Sequence, residues 1–243
     1  MNQVIEQLYA RKSIRIYTDQ EIGKAEKDAI LRAAVEAPTA GNQQLYTILD
    51  ITDQSVKDKL VDTCDHQSFI ATAKLVLVFC ADCRKWYKAF EAAGCQPRKP
   101  GVGDLLLAVS DANIAAQNAV TAAESFGIGS CYIGDIMENC EQQRKLLNLP
   151  EYVFPAAMLV FGYPTRQQKE RAKPRRAAME HIVHENGYRD MDAEELQRLF
   201  SIRAEQISYA EYMKRFCDRK FNSDFSREMS RSVGEYLKDF LHK

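Results

Sequence analysis

The sequence lacks the motifs that mark several common classes of nucleotide-using and metal-using proteins. It contains no GxGxxG and no GxxxxGK[ST] segment, which argues against a Rossmann-type nicotinamide domain and against P-loop nucleotide hydrolysis. The single CxxC, from Cys80 to Cys83, has no well-spaced second pair of ligands, so neither a zinc site nor thiol redox chemistry is expected. The four histidines form no triad spacing with a serine or cysteine.

Net charge is also nearly absent, since 33 Lys and Arg residues face 34 Asp and Glu residues. Nothing global attracts nucleic acid or an acidic membrane, so neither is an expected partner and basic chemistry must be local. The N-terminus has no basic start followed by an apolar run, so no signal peptide is expected. The seven cysteines are irregularly spaced, and we expect reduced, mostly buried thiols in a cytoplasmic protein.

What is present is a regular alternation of apolar segments along 243 residues, enough to bury a sizeable core. Short β-rich or continuous apolar runs predict strands at residues 46–51, 75–80, 130–133 and 156–161. Helical periodicity predicts helices at residues 4–9, 25–36, 55–63 and 138–147. A polar loop is expected at 165–176, and the tail from about Asp192 contains two helical stretches around a break near Asn222. Interleaved strands and helices indicate a layered protein.

The segment from residue 104 to residue 126 is nearly free of charge, with only Asp104, Asp111 and Glu124 ionised. As a helix it would be about 35 Å long. Asn113 and Gln117 interrupt its apolar character, which argues against a membrane span. A helix that is apolar on several sides must be covered on several sides, so it forms either the spine of a large core or a subunit interface.

A basic stretch at residues 11–15 (RKSIR) is the first candidate site. If the backbone is extended, Arg11, Ser13 and Arg15 point the same way. Two guanidiniums around a hydroxyl suit a phosphate, and Lys173 and Arg175 could add two positive groups. Spacing alone favours the alternative, a solvated basic surface.

Two further stretches combine small residues with hydrogen-bonding groups. Residues 37–44 (APTAGNQQ) could let a planar ligand approach the backbone and offer amides to its edge. In residues 132–135 (YIGD), a glycine at the end of an inner strand could present its backbone N–H to a ligand atom. Taken alone, the first stretch is more simply interpreted as a helix-to-strand connector and the second as a turn.

Together these pieces occur in an order that resembles the nitroreductase superfamily, and most closely its larger NADPH-dependent oxygen-insensitive nitroreductases and flavin reductases. The likeness runs from residue 4 to about 190 and more loosely to the end. The segments that carry it are residues 11–17 (RKSIRIY), 37–39 (APT), Gln67, 116–119 (AQNA), 122–125 (AAES), Gly129, 132–134 (YIG), 162–164 (GYP), 173–175 (KPR) and 183–186 (VHEN).

The resemblance implies an α+β fold in which helices flank a mixed β-sheet, and a homodimer with the long central helix at its interface. It implies one FMN in each of two clefts between the subunits. Residues 1–191 would form the FMN-binding domain. Residues 192–243 would form a helical C-terminal extension that packs on the core or on the partner subunit.

The resemblance also assigns roles to residues, none of them a metal ligand. Flavin N5 would be the reactive centre, next to the Gly134 backbone N–H, with no catalytic side chain. Gln67 would hydrogen-bond the pyrimidine edge, and Tyr132 and Ile133 would line one face of the ring. Thr39, Ala40 and Gly41 would come from the other subunit. The groups that would hold the ribityl phosphate and the O2 side of the flavin are Arg11, Ser13, Arg15, Lys173 and Arg175. The full expected cofactor-binding set is Arg11, Lys12, Ser13, Arg15, Thr39, Ala40, Gly41, Gln67, Tyr132, Ile133, Gly134, Lys173 and Arg175.

The implied activity is hydride transfer from NAD(P)H through FMN to nitroaromatic, quinone or flavin acceptors by a ping-pong mechanism. An alternative is an FMN-binding carrier or sensor on the same scaffold. The choice between NADPH and NADH stays open. Met137 and Gly234 stand where NADPH-specific relatives have basic residues, and of that cluster only Arg231 is kept.

Overall fold

A four-stranded sheet lies at the centre of the computed structural model, which describes residues 2–201 and 207–242. The strands are β1 (Tyr46–Asp50), β2 (Leu75–Asp82), β3 (Gly129–Ile133) and β4 (Val153–Gly162). Their order across the sheet is β1-β2-β4-β3, and each neighbouring pair is antiparallel. All four predicted strands are confirmed, and so is the α+β class.

The N-terminal segment adds the parallel element of the expected mixed sheet. Ser13 forms a parallel bridge with Ser130 of β3, and Tyr17 forms an antiparallel bridge with Pro164, just after β4. The parallel component is therefore a single bridge rather than a full strand. Its importance is positional, because it fixes residues 11–15 beside β3.

The two central strands are buried on both faces, as their continuous apolar sequences predict. Every residue of β2 and of β4 is buried. A strand without a solvated face needs cover on both sides, and packed helices provide it here.

The helices lie close to their predicted positions, with some corrections. The predicted loop at residues 165–176 contains a short helix. The described part of the tail has three α-helices rather than two, and the break near Asn222 separates the last two as expected. The described helices are α1 (Gln3–Ala10), α2 (Lys24–Val35), α3 (Gln54–Thr63), α4 (Phe69–Thr72), α5 (Arg84–Ala92), α6 (Val102–Ser125), α7 (Cys140–Leu147), α8 (Arg166–Glu170), α9 (Ala193–Ser201), α10 (Tyr209–Lys220) and α11 (Asp224–Leu237).

Helix α6 is the predicted long helix, with 24 residues and a length of about 36 Å. Its buried side consists mainly of alanines, whose small side chains let the helix lie close against the sheet. On its other side Leu106 is 63% exposed, Leu107 51% and Ile114 40%. Within the described ranges, no helix is both long and apolar enough to cross a bilayer.

The chain divides into two compact units, Met1–Arg171 with Glu228–Lys243, and Ala172–Arg227. In the first unit the C-terminal end packs on the core, since the buried Tyr236 meets Phe154 edge-on with ring centroids 5.1 Å apart. In the second unit Tyr212 and Phe216 stack along α10. The functional boundary expected between residues 191 and 192 stays a prediction.

Candidate functional site

The basic strip, defined here as Arg11, Ser13 and Arg15, lies beside β3. The Ile14 N–H donates to the Ser130 carbonyl at 2.9 Å, which holds the strip in an extended conformation. The Ile14 side chain is only 4% exposed and points into the core. Because side chains alternate along an extended chain, the three residues of the strip face the other way.

The thiol of Cys131, on β3, shows that the three side chains converge. Burial raises the pKa of Cys131, while the charge of Arg15, a hydrogen bond with Ser13 and the charge of Arg11 oppose that rise. These effects require all three groups to lie near one sulfur atom. The strip is therefore a cluster rather than a row of separately solvated charges.

Arg11 gives the clearest sign that the cluster is built for an anion. Its Nη1 is buried and has no hydrogen-bond partner in the part of the chain that the structure describes. Leaving a charged donor buried and unpaired is costly. The guanidinium of Arg15 lies 5.8 Å from the centroid of the Phe69 ring. Two guanidiniums and the Ser13 hydroxyl fit a phosphate group.

Lys12 points away from the strip towards the end of α8. Its Nζ donates to the carbonyl of Lys169 at 2.6 Å and to that of Arg171. Arg171 in turn donates to the Ser13 carbonyl at 2.7 Å. Lys12 thus anchors the backbone of the strip, and its expected direct contact with the cofactor stays a prediction.

The turn that follows β3 presents Gly134 on an open surface. Gly134 is exposed, and a β-carbon placed on it would have Met137 Cε, 4.0 Å away, as its nearest neighbour. The Ile133 side chain is only 1% exposed, so in this chain only its backbone can reach a ligand there. Tyr132 is half-buried, and burial raises its pKa to about 12 while the nearby Arg11 charge opposes the rise. Tyr132 therefore borders the basic strip, and Gly134 follows it two residues later in the chain.

The loop that carries Gln67 lies on the same side of the molecule. The Gln67 side chain donates to the Cys64 carbonyl at 3.0 Å. Burial raises the pKa of the Cys64 thiol to about 12, and Asp135, which follows Gly134, adds to that rise. The loop is therefore near the Gly134 turn, and Phe69 brings its far end to Arg15.

Thr39, Ala40 and Gly41 lie in a separate loop that is held to the middle of α6. Asp111, 3% exposed, accepts hydrogen bonds from the Thr39 hydroxyl, from the Ala40 N–H at 3.1 Å and from the Leu45 N–H at 3.1 Å. Asp111 is missing from the predicted site. Its signal in the sequence is that it is one of three charged residues in a long apolar helix.

A cavity of about 440 Å³ adjoins this loop. It is lined by Gln43 and Leu45 from the loop and by aromatic residues of α5, and Trp86 Nε1 donates to the Gln43 carbonyl at 2.7 Å. Trp86 and Phe90 form a tilted pair with centroids 5.5 Å apart. Such a wall suits a planar apolar ligand.

Ser232 is a second residue that sequence reasoning missed. Its fully buried hydroxyl donates to the Met137 carbonyl at 2.7 Å and accepts from the Cys140 N–H at 2.9 Å. Helix α11 thereby fixes the turn that begins at Gly134. Nothing in the local sequence marks Ser232, since it lies more than ninety residues from its partners.

Lys173 and Arg175 lie in the second compact unit. Arg175 is exposed and Lys173 is half-buried. Their participation with the basic strip stays a prediction.

Comparison with known proteins gives the family. A profile of the nitroreductase family matches residues 8–163, more than half of the chain. An oxygen-insensitive NADPH nitroreductase from Salmonella typhimurium is 33% identical over 100% of this chain and 98% of its own. An NAD(P)H FMN reductase from Bacillus subtilis is 32% identical over 97% and 91%. The structure of the NADPH:FMN oxidoreductase from Vibrio harveyi complexed with NAD+ has a TM-score of 0.78 and 25% identity over 100% of both chains. The resemblance seen in the sequence is confirmed, and the chain belongs to the nitroreductase family.

Proposed function

We propose that this protein is an FMN-dependent oxidoreductase that takes a hydride from NAD(P)H and passes it to nitroaromatic, quinone or flavin acceptors by a ping-pong mechanism. The observation that carries the proposal is the buried, unpaired Nη1 of Arg11 within a cluster beside Tyr132, two residues before the exposed Gly134. The printed names of the Salmonella and Bacillus relatives, a nitroreductase and an FMN reductase, support the same activity.

The residues of the site fit FMN. Arg11, Ser13 and Arg15 would hold its phosphate and O2 side, joined by Lys173 and Arg175, and the Arg11 nitrogen would gain the partner that it lacks. When bound, FMN supplies the redox chemistry through its N5 atom.

The other residues would orient the ring and keep one face accessible. The Gly134 backbone N–H would lie at N5, because a glycine permits close approach. Gln67 would hydrogen-bond the pyrimidine edge, and Tyr132 with the Ile133 backbone would line one face. The Arg15 cation would stabilise negative charge at the pyrimidine end.

The site would be completed in a homodimer. Nitroreductases are typically homodimers, and the exposed Leu106, Leu107 and Ile114 on α6 form an apolar patch of the kind that marks an interface. Thr39, Ala40 and Gly41 would reach the flavin of the partner subunit. In this proposal residues 1–191 bind FMN, and residues 192–243 form an extension whose last part, including Ser232, supports the Gly134 turn.

The nicotinamide donor is proposed as NADH or NADPH. Arg231, the basic residue kept from the cluster expected to hold the 2′-phosphate, donates to both oxygens of Glu141 at 2.9 Å. It also donates to Glu228 at 2.7 Å and 2.9 Å. A guanidinium already paired with two carboxylates offers little to a further anion, so we expect NADH to compete with NADPH.

The test is the visible spectrum of the purified protein, followed by anaerobic stopped-flow mixing with NADH and with NADPH. A yellow protein whose flavin bleaches rapidly, and recovers on addition of a nitroaromatic, quinone or flavin acceptor, supports the proposal. A colourless protein that added FMN does not reconstitute contradicts it. A yellow protein that bleaches slowly with both donors indicates a carrier or sensor instead.

A further inference from the structure

Glu138, which follows the turn that begins at Gly134, is a buried acid with one unpaired carboxyl oxygen. Glu138 is only 5% exposed, and its Oε1 atom has no hydrogen-bond partner within residues 2–201 and 207–242. Its backbone N–H donates to the Asp135 carbonyl at 3.0 Å and closes the turn. Burial opposes ionisation of such a carboxyl, because an ion is stabilised far better by water.

The charges that face Glu138 are also negative, and they come from each element around it. Asp135 lies in the same turn, Asp65 in the loop before Gln67, and Glu228 on α11. Burial first, and then these three carboxylates, raise the pKa of Glu138 to about 7. Cys64 also faces this carboxyl, and the nearby cation Arg231 is already paired with Glu228 and Glu141.

A metal ion is not the natural occupant of this acidic cluster. No group of three or more His, Cys, Asp or Glu side chains in the described residues has the arrangement to hold one. Burial and the surrounding carboxylates instead favour the form of Glu138 that has taken up a proton. Near neutral pH a small change of pH changes the charge of this one carboxyl.

We propose that Glu138 is a positioning residue whose protonation sets how readily the flavin at the Gly134 turn is reduced. The inference rests on the proposed function. Two segments expected to contact the flavin, the Gly134 turn and the loop with Gln67, each carry an aspartate that faces Glu138. Ionised Glu138 adds a further negative charge beside both segments, and reduction by a hydride also brings negative charge to the flavin. Since like charges repel, a neutral Glu138 favours reduction and an ionised one opposes it.

The experiment measures flavin bleaching by NADH in the FMN-loaded protein from about pH 5.5 to about pH 8.5, on either side of the Glu138 pKa. In the wild type the rate constant should fall by about threefold to tenfold with a midpoint near pH 7. In Glu138→Gln, whose side chain cannot ionise, this pH-dependent step in the rate constant should vanish. Glu235→Gln is the matched control, because Glu235 lies on α11 paired with Lys238, and it should retain the wild-type step.

A second readout is the flavin midpoint potential, measured with redox dyes over the same pH range. The wild-type potential should fall more steeply above pH 7 than that of Glu138→Gln. If Glu138→Gln does not fold, Glu138→Asp keeps a titrating group and should move the midpoint of the step. Identical pH profiles for the wild type and a folded Glu138 variant in both measurements overturn the inference.

A third readout separates this inference from the proposed function, because it needs no flavin. In the apoprotein, the folded chain holds the Glu138 proton up to about pH 7, whereas the unfolded chain releases it near pH 4.5. The stability of the wild type should therefore fall relative to that of Glu138→Gln as pH rises between these two values. A protein that shows this loss but binds no FMN contradicts the proposed function. A protein that binds and reduces FMN but shows no such loss contradicts the role of Glu138.

Discussion

The carboxylate of Asp111, on the buried side of α6, accepts a hydrogen bond from the hydroxyl of Thr39, 72 residues earlier in the chain. The same carboxylate receives the N–H groups of Ala40 and Leu45, so one side chain holds both ends of the loop. The loop needs this support because Gly41, Asn42 and Gln44 have positive φ angles. The long helix therefore shapes a loop that we expect to contact the flavin of the partner.

Removing this carboxylate should be strongly destabilising. In Asp111→Ala the half-buried Thr39 hydroxyl and the N–H groups of Ala40 and Leu45 lose their acceptor. The free energy of unfolding should fall by about 2–4 kcal/mol. Urea unfolding measures the change. Ser110→Ala, an exposed neighbour on the same helix, should stay within about 0.5 kcal/mol of the wild type. A loss of similar size in both variants contradicts the assigned role of Asp111.

The packing of Gly129 against Ile14 should position the basic strip. A β-carbon on Gly129 would lie 2.4 Å from Ile14 Cγ1, so Gly129→Ala must push the strip away from β3. We expect a loss of stability of about 1–3 kcal/mol and weaker FMN binding, measured by unfolding and by fluorescence titration. Gly234→Ala, which has open space around it within α11, should be neutral or slightly stabilising. Unaltered FMN affinity in Gly129→Ala argues against this positioning.

Arg11 should contribute directly to the affinity for FMN. Arg11→Ala removes one charged donor from the proposed phosphate site, and we expect the dissociation constant to rise by about 10-fold to 100-fold. Quenching of FMN fluorescence by the apoprotein gives this constant. Arg32→Ala removes an exposed arginine from α2 and should leave the constant unchanged. Equal affinities for the wild type and Arg11→Ala would place the phosphate elsewhere.

The ion pairs of Arg231 with Glu141 and Glu228 should make the stability of the protein depend on pH in the acid range. A hydrogen bond from Arg231 lowers the pKa of Glu141 from its ordinary 4.5 to about 2. Because the folded pKa is the lower one, the stabilisation is present above about pH 4.5 and is lost as pH falls towards 2. Unfolding at a series of pH values should therefore show a gap between the wild type and Glu141→Gln that closes on acidification. A difference in stability that stays constant with pH would show that the pairing is not linked to protonation. Glu151→Gln is the control.

The exposed apolar face of α6 should hold two subunits together. Leu107→Glu places a charge on that face, so we expect a monomer in analytical ultracentrifugation and weaker FMN binding, because each site would lose Thr39, Ala40 and Gly41 of its partner. Lys145→Glu reverses an exposed charge on α7 and should leave the assembly intact. A Leu107→Glu protein of unchanged mass that retains FMN would locate the interface elsewhere.

Much of the fold followed from local patterns. The apolar runs at residues 75–80 and 156–161 predicted β2 and β4, and the uncharged stretch near Asp111 predicted α6. These predictions succeed because an element covered on both faces must be apolar along its whole length, which consecutive residues show directly. Helix α8 was missed because its five residues are polar and show no apolar pattern. Helix α9 was missed although Leu196 and Leu199 lie at helical spacing, since it is short and most of its other residues are polar.

The sequence by itself determined the elements, the family and the basic residues around Arg11, because periodicity, small motifs and charge are written in consecutive positions. Only the tertiary structure decided that Asp111 holds the Thr39 loop, that Ser232 fixes the Gly134 turn and that Glu138 is buried among other acids. Those roles depend on groups far apart in the chain, and a hydrogen bond or a desolvated charge exists only when folding brings such groups within a few ångströms.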